Sequence, residues 1–244
     1  MKKLLIVLFA LISLNSFAQR WETIKGNGQI KKETREVSNY TSLASQGSMD
    51  VQISYGNSGS IIIEADENLL PYIETLVENG KLSIKTKKNV NLKSSSKMVV
   101  HVSMTKINSL QLSGSGNING SGAFTNDGKT DIGVSGSGNL TLDFDSFKDL
   151  DLSVSGSGNI DLKSNAANST TNSINAKVSG SGNIDCSSIS SKDVDAKLSG
   201  SGNIKVYANN SIDAKISGSG NVYYKGNAQN ISSKVMGSGK VLKM

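Results

Sequence analysis

The pentapeptide Ser-Gly-Ser-Gly-Asn constrains this chain more than any other feature. Its Gly-Ser-Gly-Asn part begins at Gly114, Gly136, Gly156, Gly180, Gly200 and Gly218, and a seventh copy, Gly237 to Lys240, carries Lys in place of Asn. Successive copies lie 22, 20, 24, 20, 18 and 19 residues apart. That period is too long for a heptad and too short for an array of domains. It fits one coil of a β-solenoid.

The flanks of the motif describe the coil. With the first Gly as position zero, position −2 holds Leu112, Val134, Val154, Val178, Leu198, Ile216 and Val235. Position +4 holds Ile118, Leu140, Ile160, Ile184, Ile204, Val222 and Val241, and position +6 holds Leu142, Leu162, Cys186, Val206 or Tyr224 in most copies. Apolar residues at even offsets are the period-2 signature of strands with one buried face. Leu198 and Ile204 are therefore expected to point inward. The glycines share this phase. Either the strand runs straight through with Gly facing inward, or Gly-Ser-Gly is a corner needing positive φ or close backbone approach. Asn tolerates the left-handed region and can point either way.

The opposite phase predicts outer columns. Position −5 carries Asp131, Asp151, Asn175, Asp195 and Asp213, and position −3 carries Lys177, Lys197, Lys215 and Lys234. In-register coils about 4.8 Å apart would set an acidic column beside a basic one, where opposite charges offset the repulsion within each column. Such a strip is a soluble face, or a surface that docks an anionic glycan or a partner protein. Asn117, Asn139, Asn159, Asn183, Asn203 and Asn221 would stack as an amide ladder, a structural role favoured here over ligand binding.

The start of the chain belongs to another class of signal. Lys2 and Lys3 precede an apolar run from Leu4 to Leu14 and the small residues Ser16 and Ala18. This reads as a secretory signal peptide over residues 1–18, cleaved after Ala18 and too short to span a membrane. No later stretch is apolar enough to span one. Without Lys2 and Lys3 the net charge of +6 becomes +4. Only Arg20 and Arg35 supply guanidinium groups, so nucleic acid is not an expected partner. The lone Cys186 excludes an intrachain disulfide, and its +6 position predicts a small buried hydrophobe. One proline in 244 residues suits a long strand ladder.

Two earlier segments echo the motif. Gly26 to Ile30 and Gly47 to Val51 lie 21 residues apart and read as degenerate coils. Between Gly47 and the first full motif, Ile61-Ile62-Ile63 predicts a strand. Asp66 to Glu78 has helical spacing at Leu69, Tyr72, Ile73, Leu76 and Val77, with Asn79-Gly80 to terminate it. Strands are expected over Lys81–Thr86 and Lys97–Met104.

Gly26-Asn-Gly-Gln-Ile30, Thr34-Arg-Glu-Val37, the run from Ile63 to Glu74 and the Ser-Gly-Ser-Gly-Asn coils together resemble the head GIN domain family. The resemblance covers residues 24–244. It implies a β-helical fold and a cell-envelope setting, since the family consists of exported bacterial proteins, common in Bacteroidetes, labelled auto-transporter adhesins. The chain has no run of ten-residue alternating strands at its C-terminal side that would build a translocator barrel.

Enzymatic chemistry finds few residues. His101, the only histidine, sits in a strand-like segment and cannot be both base and ligand cluster. A polysaccharide-lyase-like, glycan-active β-helix is the enzymatic alternative, with Asp143, Asp145, Asp149 and Asp151 as an acidic patch. These alternate with apolar residues as a solvent face does.

The expected fold is an all-β, single-stranded parallel β-helix of roughly ten coils, with one short helix in an N-terminal insertion. Residues 19–112 form a degenerate N-terminal part and 113–244 the regular repeat. The expected function is non-enzymatic adhesion or scaffolding in the cell envelope, with no cofactor. The partner is a surface glycan or another envelope protein. Val241 and Met244 have no evident cover, which suggests self-association through the C-terminal coil.

Overall fold

The computed structural model describes residues 21–166 and 170–244. The expected signal peptide and its cleavage site lie outside the described residues. The N-terminal part contributes β1 (Glu22–Lys25), β2 (Ile30–Glu36), β3 (Ser42–Gly47), β4 (Asp50–Tyr55), β5 (Ser60–Asp66), β6 (Ile73–Glu78), β7 (Lys81–Thr86), β8 (Val90–Lys93) and β9 (Val99–Met104). The regular part begins with β10 (Ser109–Gly114), β11 (Ile118–Ser121), β12 (Thr125–Gly136), β13 (Asn139–Phe144), β14 (Ser146–Gly156) and β15 (Asn159–Ser164). It continues through β16 (Thr170–Gly180), β17 (Asn183–Gly200), β18 (Asn203–Gly218), β19 (Asn221–Lys225), β20 (Asn230–Gly237) and β21 (Val241–Lys243).

The strands stack as a parallel β-solenoid of about seven turns, fewer than the ten expected. Register is residue-for-residue on the face that leads into each motif. Leu112 pairs with Val134, Val134 with Val154, Val154 with Val178, Val178 with Leu198, and Leu198 with Ile216. The motif glycines pair in the same way from Gly47 to Gly237. The even phase is inward, and Leu198 and Ile204 are 2% and 0% exposed. Each such side chain contributes roughly 1.5–3 kcal/mol by leaving water. Two buried threonine hydroxyls are satisfied by the backbone. Thr130 Oγ1 donates to the Ile107 carbonyl at 3.2 Å and Thr171 Oγ1 to that of Phe147 at 3.1 Å.

Gly-Ser-Gly is a corner. The first Gly of each full motif has φ between 116° and 133°, a region that disfavours any Cβ. A Cβ on Gly200 would also collide with the carbonyl oxygen of Gly180 one coil below, and one on Gly202 with that of Gly182. The base corner, Gly47-Ser-Met-Asp50, explains itself by contrast. No corner lies beneath it, the nearest atom to a Cβ on Gly47 is the Thr86 hydroxyl at 3.9 Å, and Met49 occupies the second Gly position as a buried side chain.

The N-terminal end departs from expectation in two places. Asp66 to Glu78 is not one helix. A short 3-10 helix spans Glu67–Tyr72 and buries Leu69 and Leu70, after which Ile73–Glu78 is a strand paired antiparallel with β7. Pro71 removes a helical donor, and Ile73, Thr75 and Val77 alternate with period 2. Asn79 and Gly80, at φ 50° and 72°, form the two-residue hairpin turn between these strands rather than a helix terminus. Nor is Gly26 to Ile30 a coil. It is the loop into β2, which pairs antiparallel with β5. The reversals at β2, β5 and β6 end the solenoid and account for the missing coils. Gly47 does open a coil, as expected.

This geometry separates the residues of one motif. Gly200→Val is expected to cost at least about 2 kcal/mol through the forbidden φ alone. Ser201→Ala, on an exposed side chain, should stay within about 0.5 kcal/mol. Urea unfolding of the two variants checks this, and comparable losses in both would contradict the corner.

Candidate functional site

The corners also place the Asn side chains. All six lie on the outer surface of the solenoid, where their amides bond along its axis. Asn139 Nδ2 donates to Asn117 Oδ1 at 3.1 Å, Asn159 to Asn139 at 2.7 Å, Asn183 to Asn159 at 2.8 Å, and Asn203 to Asn183 at 3.1 Å. At Asn221 the backbone N–H donates to Asn203 Oδ1, at 3.4 Å. Every donor points toward the N-terminal end, so the lowest member must only accept. Asp50 holds that place and accepts from both the backbone N–H and Nδ2 of Asn117. At the other end the Lys240 backbone N–H donates to Asn221 Oδ1 at 3.0 Å.

The charged columns stand in register. Asp195 pairs with Asp213, and Lys177 with Lys197, Lys215 and Lys234 in succession. Within a strand, Lys197 Nζ meets Asp195 at 2.9 Å and Lys215 Nζ meets Asp213 at 2.6 Å. The Lys215 ammonium holds the Asp213 carboxyl below its usual range, and Asp213 raises Lys215 in turn. In lower coils Lys129 serves Asp131 and Asp151 instead. Lys177 stands two residues from Asn175, and Lys234 two from Ser232, so neither has an acid in the corresponding place. Among the described residues neither makes an ion pair.

Between the Lys column at −3 and the Ser column at −1 runs an open groove of about 560 Å³. One wall is Lys177, Lys197, Lys215 and Lys234, and the other Ser155, Ser179, Ser199 and Ser217, with Met236 at one end. The floor is the backbone of Val178, Leu198 and Ile216, whose side chains turn inward and are buried. Sequence reasoning finds the columns but not the groove. It arises because serine at −1 is too short to close over the pleat against lysine at −3.

A second polar cluster was not anticipated. Asp66, fully buried, accepts from Ser94 Oγ and Ser95 Oγ at 2.6 Å each, from Ser95 N at 2.9 Å and from Gly28 N at 2.7 Å. These bonds, the two serine hydroxyls foremost, hold its carboxyl well below the ordinary 3.8. A Cβ on Gly26 would meet this carboxylate. The motif-like Gly26 to Ile30 thus serves as a clasp over the N-terminal end.

The remaining candidates are placed plainly. Cys186 is buried and its thiol is pushed up by burial. His101 lies on the outer face with Nε2 3.9 Å from a Glu64 oxygen. Asp149 accepts from Ser173 Oγ and Asp151 pairs with Lys129. No three His, Cys, Asp or Glu among the described residues are grouped to hold a metal ion. In the last coil Ile231 and Val235 are 52% and 39% exposed, whereas Ile212 and Ile216 beneath them are 1% exposed. Among the described residues no helix is long and apolar enough to cross a membrane.

This β-solenoid fold is shared with bacterial proteins of known structure. Residues 39–228 match the family described as "Putative auto-transporter adhesin, head GIN domain", and the chain belongs to that family. A putative adhesin from Bacteroides fragilis superposes with a TM-score of 0.78 at 19% identity, over 91% of this chain and 100% of that one. A structure from Parabacteroides distasonis named a putative lipid binding protein gives 0.69 at 27% identity, with the same coverage. A putative adhesin from Parabacteroides merdae gives 0.65 at 21%, over 91% of this chain and 99% of that one. No functionally curated protein matches the chain.

Two outcomes follow for the polar clusters. Asn159→Asp removes the donor to Asn139 and sets a carboxylate against its amide oxygen. Its melting temperature should fall relative to wild type at pH 7 and recover partly near pH 4, where the carboxyl regains a proton. For Asp66, a depressed folded-state pKa contributes stability above the ordinary carboxylate range that is lost as pH falls below it. Thermal melts from about pH 5 to pH 3 should therefore fall more steeply in wild type than in Asp66→Asn.

Proposed function

We propose that this protein acts as an exported, non-enzymatic adhesion or scaffolding element of the cell envelope. Its surface presents repeated side-chain columns to a glycan or to another envelope protein. The observation that carries this reading is the in-register outer surface. Ser and Asn recur coil after coil on a rigid ladder, with Lys and Asp in register over several of the coils, a form suited to an extended or repetitive partner. Membership of the head GIN domain family supports the adhesive role. The pattern of residues 1–18 supports export, to the periplasm or the outer cell surface. Cover of the exposed last coil by a second copy or another envelope protein belongs to the same reading.

The test is a binding screen of the mature chain beginning at Gln19, against a glycan array and against whole bacterial cells. Saturable binding that exceeds that of a β-solenoid control of equal net charge is the expected result. Binding no stronger than that control on every surface would overturn the adhesive reading.

A further inference from the structure

We propose that the groove between the Lys and Ser columns is a binding site for a linear acidic polysaccharide lying parallel to the solenoid axis. The proposal deepens the adhesive reading by naming a ligand class and the residues that take it.

Periodicity selects the ligand. Three coil levels offer an ammonium and a hydroxyl together, Lys177 with Ser179, Lys197 with Ser199 and Lys215 with Ser217, flanked by Ser155 below and Lys234 above. The levels are about 4.8 Å apart, close to the advance of one sugar ring in an extended chain. A chain of uronic acid residues repeats the complementary set. Each ring carries one carboxylate and ring hydroxyls, so along the chain carboxylates recur on the lysine side and hydroxyls meet the serines. An amphiphile with a single acidic headgroup would engage one lysine and leave the other levels unmatched. Single-stranded nucleic acid would seek stacking partners, and among the described residues no aromatic side chain lines this groove.

Charge then grades the lysines. Lys197 and Lys215 are already bound to Asp195 and Asp213. Among the described residues Lys177 and Lys234 make no such ion pair, and they stand three coil levels apart in the stacked register. They are the two strong anchors, spaced about 14 Å apart. The inner pair must loosen from its acids to contribute, and exposed pairs of this kind hold only weakly.

The experiment is calorimetric titration of the mature chain with oligogalacturonates of two to eight residues. Neutral cello-oligosaccharides and vesicles of anionic phospholipid serve as comparison probes. Affinity should rise with length to about four or five rings, the span of the groove, then level off, and it should weaken as salt is raised. Lys177→Gln and Lys234→Gln should each weaken binding at least about fivefold, and Lys197→Gln and Lys215→Gln less. All four replace exposed side chains, and circular dichroism verifies that the fold is retained. Equal affinity for the neutral oligosaccharide would overturn the proposal, as would binding unchanged in the Lys177/Lys234 double variant. Preference for the vesicles, abolished by the same double variant, would overturn it in favour of a lipid. If the double variant still adheres to cells while wild type ignores oligogalacturonate, the ligand class is wrong and the adhesive reading stands. If oligogalacturonate binds through these lysines but no cell surface is recognised, the reverse holds.

Discussion

One carbonyl oxygen per coil holds the corners together. From Gly47 to Gly200 the first Gly of each corner accepts two backbone N–H groups from the corner above. Gly136 O receives Ser157 N at 2.9 Å and Gly158 N at 3.0 Å, and Gly156 O receives Ser181 N and Gly182 N at the same distances. Two donors on one acceptor require the corners to approach closer than a Cβ permits, so glycine occupies both positions. Turning the chain outside a helix or hairpin ordinarily exposes backbone groups to water. Here each turn satisfies the next.

The rest of the molecule inherits its order from that contact. Because a corner cannot slip relative to its neighbour without losing both bonds, the strands on either side stay in register. A one-residue slip would send every buried Val, Leu and Ile to the surface. Register in turn aligns the outer columns. The Asn ladder needs its amides at equal heights, and so do the Lys and Ser walls of the groove. The two ends differ for the same reason. At the base, Met49 and Asp50 replace Gly and Asn because no corner lies below to crowd the one or accept from the other. Antiparallel strands and the Asp66 clasp then close that end. The last coil keeps Ile231 and Val235 exposed on its upper side.

Periodic features were legible in the sequence, and single long-range contacts were not. The inward columns at −2, +4 and +6 follow from alternation repeated over several coils, and their register needs no further information. Asn79-Gly80 shows the opposite case. The pair ends helices and turns hairpins equally well, and Leu69, Tyr72, Ile73 and Leu76 fit a helical stripe. The pairing of β6 with β7 decided between them, a tertiary preference that a local window does not contain. Gly26 to Ile30 looked like a coil because its spacing from Gly47 matched the repeat. Its true partner is a carboxylate some 40 residues away, at Asp66. The groove lay between these extremes. Its lysines and serines were visible as columns, but the space between them depends on relative side-chain lengths on a pleated surface.

Site-resolved amide hydrogen exchange tests the central claim most directly. Gly-Ser-Gly-Asn segments in isolation behave as flexible linkers whose amides exchange freely. If the corner carbonyls bind as described, the N–H groups of Ser157, Ser181, Ser201 and Ser219 should be protected as strongly as the strand amides of Val154 and Leu198. Exchange of those serine amides at unprotected loop rates, with the strands still protected, would show that the corners do not hold the coils together.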